Sequence, residues 1–184
     1  MKDISRRQFL KLGLFATAAG MMPMPVHSMM RESVAPERSL AFYNTHTGES
    51  IQTVYWTEGQ YIPAALAEIN TLLRDHRNNE VTEMSTGLLD LLHNLNNVID
   101  ARQPFHVISG YRSPATNVML AARSDGVAKH SMHLEGKAID IRVPGRELIV
   151  VRRAAMALQT GGVGYYPGSG FVHVDVGRVR QWQG

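Results

Sequence analysis

Apolar and polar positions alternate most cleanly in two short stretches of this 184-residue chain. In residues 138–143, Ala138, Asp140 and Arg142 alternate with Ile139, Ile141 and Val143. In residues 171–176, His173 and Asp175 alternate with Val172, Val174 and Val176. A period of two sends successive side chains to opposite faces of a strand. Each stretch therefore predicts a strand with one apolar face for the core and one polar face. Residues 39–44 and 50–56 read as a hairpin around Thr47-Gly48, and residues 106–109 as another strand. Residues 162–166 pair with 171–176 across Pro167-Gly168-Ser169-Gly170.

Elsewhere the period is helical. Ile62, Leu66, Ile69 and Leu73 fall at i, i+4, i+7 and i+11 in residues 61–76, with Pro63 near the start. Leu88, Leu92, Leu95 and Ile99 repeat the series in residues 85–100, where Ser85 can cap. Residues 117–124 form a shorter candidate ended by Asp125-Gly126, and residues 146–160 another, with Gly161 as its stop. Strands and helices mix without regular βα alternation, internal repeat or low-complexity segment. The expectation is an α+β fold, with a small antiparallel sheet packed against helices.

The first 28 residues read as a leader. Ser5-Arg6-Arg7-Gln8-Phe9-Leu10-Lys11 resembles a twin-arginine export signal, and Val26-His27-Ser28 offers a cleavage site. The apolar run of residues 12–22 is shorter than the roughly 20 residues that span a bilayer, so no permanent transmembrane helix is expected. This reading implies passage through the twin-arginine translocase and a periplasmic protein. Residues 29–37, aperiodic and containing Pro36, read as a linker, leaving residues 38–184 as one domain.

The leader changes the meaning of the charge. The chain has 19 basic and 16 acidic residues, but Lys2, Arg6, Arg7 and Lys11 against Asp3 belong to the leader. The remainder is balanced, and no basic run points to nucleic acid. There is no cysteine, which excludes disulfides, a thiol nucleophile and Cys-ligated zinc.

The candidate chemistry lies on the two alternating strands. Ser131, His133, Gly136, Ala138 and Asp140 spell S-x-H-x-x-G-x-A-x-D, with the imidazole on a loop just ahead of the strand. His133, Asp140 and His173 make a mixed set of three ligands. With one open position, that is the donor set of a single catalytic zinc. Taken singly, each histidine reads as readily as a surface residue; the shared pattern joins them. Asp175 shares a face with His173 and fits either a general base or a carboxylate that orients the imidazole. Glu135 and His130, beside His133, are weaker candidates for the base. Arg112, in Gly110-Tyr111-Arg112 at a strand end, is placed either to meet a ligand or as a surface cation. His76 and His93 read as solvated or packed helix residues, and spacing gives His46 no partner. No G-x-S-x-G occurs, and nothing activates Ser131 as a nucleophile.

These residues resemble the zinc D-Ala-D-Ala peptidase superfamily, whose fold the hedgehog signalling domain shares. Asn44-Thr45-His46-Thr47-Gly48-Glu49, Ser109-Gly110-Tyr111-Arg112-Ser113 and Gly161-Gly162-Val163-Gly164-Tyr165-Tyr166-Pro167 are similar to the murein endopeptidase K-like branch, over roughly residues 38–182. The resemblance implies a zinc peptidase acting on the peptide stems of peptidoglycan, with Arg112 beside the zinc, binding substrate oxygen. Several relatives carry an acid three residues before the last ligand histidine, where this chain has Gly170. That departure leaves the base unassigned and keeps a second reading open, a zinc-containing binding module of the same fold. Residue patterns do not choose between a D-Ala–diaminopimelate and a diaminopimelate–diaminopimelate cross-link.

Overall fold

The structure is a computed structural model that describes residues 36–123, 128 and 130–184. The leader, the linker up to residue 35, residue 124 and the Asp125-Gly126 stop lie outside the described residues. In chain order the elements are β1 (Glu37–Asn44), β2 (Ser50–Thr57), β3 (Gln60–Tyr61), α1 (Pro63–Leu72), α2 (Thr86–Ile99), β4 (Phe105–Ser109) and α3 (Pro114–Ala121). A 3-10 turn (Met132–Glu135), β5 (Ala138–Arg142), α4 (Leu148–Ala157), β6 (Gly162–Tyr166), β7 (Phe171–Asp175) and β8 (Arg180–Gln183) follow.

The α+β class holds, and the sheet is wider than the expected small antiparallel one. Among the described residues eight strands run in the order β3-β2-β1-β4-β5-β7-β6-β8. The stretch β4-β5-β7-β6 is antiparallel throughout, but β1 lies parallel to β4 and β6 parallel to β8. The long path through α1 and α2 is what a parallel β1–β4 pairing requires, and hairpin signals do not reveal it.

Helix limits move for tertiary reasons. Tyr61 is taken by the β2–β3 pairing opposite Trp56, so α1 starts at Pro63. Past its end the Leu73 carbonyl accepts the Tyr111 N–H at 2.8 Å, and His76 lies beyond the helix. α3 begins at Pro114 rather than at residue 117, because the Ser113 hydroxyl caps it by accepting the Thr116 N–H at 3.2 Å. Ser85 stands at the N-cap of α2 without a capping side-chain bond; its N–H donates instead to the Gly136 carbonyl at 2.9 Å.

Ile139, Ile141, Val172 and Val174 are fully buried, in one core with Leu88, Leu92 and Leu95 of α2 and Val151 of α4. Burial of each such side chain contributes about 1.5–3 kcal/mol. Alternation then fixes the other face of β5 and β7, where Asp140, His173 and Asp175 stand. No helix among the described residues is long and apolar enough to cross a membrane.

Candidate metal centre

Strand register draws the site as a row. Ser109, Asp140, His173, Gly164 and Trp182 are successive partners across β4, β5, β7, β6 and β8. Two residues along, on the same face, Ala138 lies opposite Asp175 and Gly162 opposite Arg180. The two glycines keep these rows open. A Cβ on Gly162 would strike the Arg180 guanidinium and the Asp175 carboxylate; one on Gly164 would strike the Trp182 indole. Without them, side chains from β8 reach across β6. Arg180 Nη2 donates to Asp175 Oδ2 at 2.7 Å, and the Trp182 ring lies 5.2 Å from that of His173.

His133 arrives from the 3-10 turn. The Ser131 hydroxyl caps that turn by accepting the His133 N–H at 3.4 Å, and Gly136 ends it at φ 63°, a left-handed conformation that favours glycine. The neighbouring 110–113 loop is tied down at several points. Arg112 N–H donates to the His133 carbonyl at 3.1 Å, and Ser113 N–H to Asp75 Oδ2 at 2.9 Å.

The partners of each imidazole fix its protons. His133 Nδ1 lies 2.7 Å from the Gly110 carbonyl, which only accepts, so Nδ1 carries the hydrogen and Nε2 presents a lone pair. His173 lies between two carboxylates, Nε2 3.1 Å from Asp175 Oδ2 and Nδ1 2.8 Å from Asp140 Oδ1; with its hydrogen donated to Asp175, Nδ1 presents a lone pair. These two nitrogens are 3.2 Å apart, and Asp140 Oδ1 is 3.3 Å from the first and 2.8 Å from the second. A tetrahedral ion bonded at about 2.1 Å holds its donors about 3.4 Å apart. Three lone pairs that face one another at this spacing fit a metal ion, and each histidine has the outer hydrogen bond that orients a ligand.

The same contacts set the charges. Burial works to raise the Asp140 pKa, but the charge and hydrogen bond of His133 and the hydrogen bond of His173 outweigh it and hold it low. Burial would lower the His173 pKa, but hydrogen bonds to Asp140 and Asp175 prevail and raise it. Asp175 is fully buried, yet bonds from His173, Arg180, Gly177 N–H and Gly162 N–H keep it ionised, against the upward pull of burial.

The cluster opens into a cleft of about 460 Å³, whose walls include Arg112, His130, Tyr166, Phe171 and Trp182. Among the described residues the Arg112 side chain reaches Asn117 Oδ1, at 3.4 Å, and its buried Nε meets no partner. Of the other sequence candidates, Asp175 sits behind His173, and Glu135 pairs with Lys137 at 2.8 Å away from the cleft walls. His46 stacks on His76 with ring centroids 3.9 Å apart, and His93 lies on α2 beside the Ser39 carbonyl. Sequence reasoning missed Arg180 and Trp182 and gave Tyr166 no role. The signal was there in outline, since Gly162 and Gly164 share the period of two with Arg180 and Trp182, but only register links them.

An α+β sheet that carries a His–Asp–His metal cluster beneath a cleft is the frame of the peptidase superfamily resembled above. The chain belongs within it to the family described as peptidoglycan L,D-endopeptidase MepK, whose model matches residues 32–182. It is 43% identical over 180 residues to the peptidoglycan L,D-endopeptidase MepK of Escherichia coli (strain K12), covering 98% of each chain. The Shigella flexneri protein of the same name matches equally, at 43% over 180 residues. The probable peptidoglycan L,D-endopeptidase MepK of Haemophilus influenzae is 41% identical over 183 residues, with 99% of this chain and 97% of that one covered.

Proposed function

We propose that this chain is a periplasmic, zinc-dependent murein endopeptidase that hydrolyses peptide cross-links of peptidoglycan. One observation carries the reading: three possible metal ligands, with donor atoms 2.8–3.3 Å apart, line a cleft whose wall includes Arg112. Family membership supplies the substrate class. The relatives' L,D designation favours the link between the L-centre of one diaminopimelate and the D-centre of the next over the D-Ala link.

His133, Asp140 and His173 would hold a zinc ion, which would supply the Lewis acidity to polarise a carbonyl and activate water at neutral pH. Arg112 stabilises negative charge on the scissile carbonyl oxygen or holds a substrate carboxylate. The burial of Asp175 and its five hydrogen bonds support the orienting role rather than that of the base. At the position of the relatives' acid, Gly170 makes the β6–β7 turn at φ 73°. His130, on the cleft wall, then takes the proton from the attacking water and returns it to the leaving amine.

The test is incubation of the mature protein with defined cross-linked muropeptide dimers, with and without a chelator, followed by mass analysis. Chelator-sensitive cleavage of the diaminopimelate–diaminopimelate dimer is expected. Dimers that bind but stay intact with zinc present would favour the binding module. The leader motif supports export by the twin-arginine translocase. Arg6→Lys with Arg7→Lys should strand the precursor in the cytoplasm, and normal processing of that variant would refute the route.

A further inference from the structure

We infer that the Tyr166 hydroxyl is a hydrogen-bond donor to an oxygen anion of the substrate, aimed by Trp182. The inference rests on the peptidase reading above. A phenol has one hydrogen to donate and lone pairs to accept with, whereas an indole N–H only donates. Trp182 Nε1 lies 2.7 Å from Tyr166 Oη and so occupies a lone pair. The hydrogen of Tyr166 meets no acceptor among the described residues.

Both rings are held in place. Tyr166 stacks on Phe171 with centroids 4.6 Å apart and planes 22° from parallel. Trp182 lies over the bare Cα of Gly164, with the Arg180 guanidinium 4.8 Å from its ring centre and His173 at its side. The donor is thereby indexed to a metal ligand through one row of the sheet. Tyr166 and Arg112 line the same cleft, and apart from Asp140 no carboxylate is among its described lining residues. A phenol hydrogen without an acceptor among the described residues and a guanidinium with no carboxylate bonded to it, in a wall free of other acids, select an oxygen anion. Two groups on a peptide substrate present one: a ground-state carboxylate, and the oxyanion that forms when water adds to the scissile carbonyl.

Tyr166→Phe removes one oxygen and keeps the stacked ring. Trp182→Phe removes the aiming N–H. Both variants and the double variant are assayed on cross-linked dimers, with zinc content and the affinity for a stem peptide measured on the same preparations. Tyr166→Phe should keep zinc and lose about 100-fold in kcat/KM. Trp182→Phe should lose about 10-fold alone and nothing further in the Tyr166→Phe background, because a positioning residue acts only through the group it positions. A loss in kcat alone identifies the oxyanion; a raised KM with weaker peptide binding identifies the carboxylate. A fully active Tyr166→Phe enzyme overturns the inference, as does a Trp182→Phe loss that persists undiminished in the double variant. If the wild-type protein cuts no dimer, the peptidase reading fails and this inference with it.

Discussion

Two carboxylates, one on helix α2 and one on the central strand β5, show what separates a structural polar cluster from a candidate metal site. Asp90, on α2, accepts from Tyr55 at 2.9 Å, Tyr61 at 2.8 Å and Arg38 at 2.7 Å. Every neighbour brings a proton, and the cluster is complete within the protein. Asp140, on β5, faces two nitrogens whose protons are committed elsewhere, to Gly110 and Asp175. Its two neighbours can each turn a lone pair toward a shared cation. Burial does not make the distinction, because Asp175 is more buried than Asp140 and is fully supplied with donors. The count of protons makes it.

The largest effects should come from the candidate metal cluster. Replacing His133, Asp140 or His173 by Ala removes one of three protein donors. Stoichiometric metal and cross-link cleavage should both be lost, with elemental analysis and product mass as the readouts. Tight zinc in His173→Ala would break the comparison outright. Arg112→Ala comes next: the metal stays, and turnover falls about 100-fold, or roughly 3 kcal/mol, as for loss of one transition-state donor. A drop in zinc content instead would make Arg112 part of the scaffold around His133.

Asp175→Asn tests the fully donated carboxylate behind the ligand. It should weaken metal affinity about 10- to 100-fold, with activity partly restored by excess zinc. Full zinc affinity with lost turnover would return Asp175 to the role of base. Smallest is Asp90→Asn, which should cost about 1 kcal/mol, reduced by the group's partial exposure, and leave metal and activity unchanged. Hydrogen bonds from Arg38, Tyr61 and Tyr55 hold the Asp90 pKa below its ordinary value, against the upward pull of burial. Its contribution is therefore present above the unfolded pKa of about 4 and lost as pH falls through the folded one. The gap in Tm between wild type and Asp90→Asn should close on acidification; a constant gap from neutral to acid pH would contradict that.

The cluster of candidate ligands was legible because its signal is local. Alternation along β5 and β7 set Asp140, His173 and Asp175 on one face without knowledge of which strands pair. What was hidden depends on register between distant segments. Gly162 and Gly164 read as ordinary strand positions until Arg180 and Trp182 are laid beside them. β8 has two apolar-facing positions at most and no hairpin turn to announce it. The late start of α1 follows from the Tyr61–Trp56 pairing, and the His46–His76 stack joins a hairpin turn to the loop after a helix. The choice between base and orienter for Asp175 was open for the same reason: alternation fixes a face, but only the partners in space show where its hydrogen bonds go.

The central claim is that the two histidines present opposite nitrogens to one ion, each held in its tautomer by a different acceptor. Nitrogen-15 NMR of the two imidazoles during zinc titration measures this directly. At one zinc per chain, His133 should bind through Nε2 and keep its proton on Nδ1, while His173 should bind through Nδ1 and keep its proton on Nε2. Binding through the same nitrogen in both rings, or imidazole signals indifferent to zinc, would contradict the account.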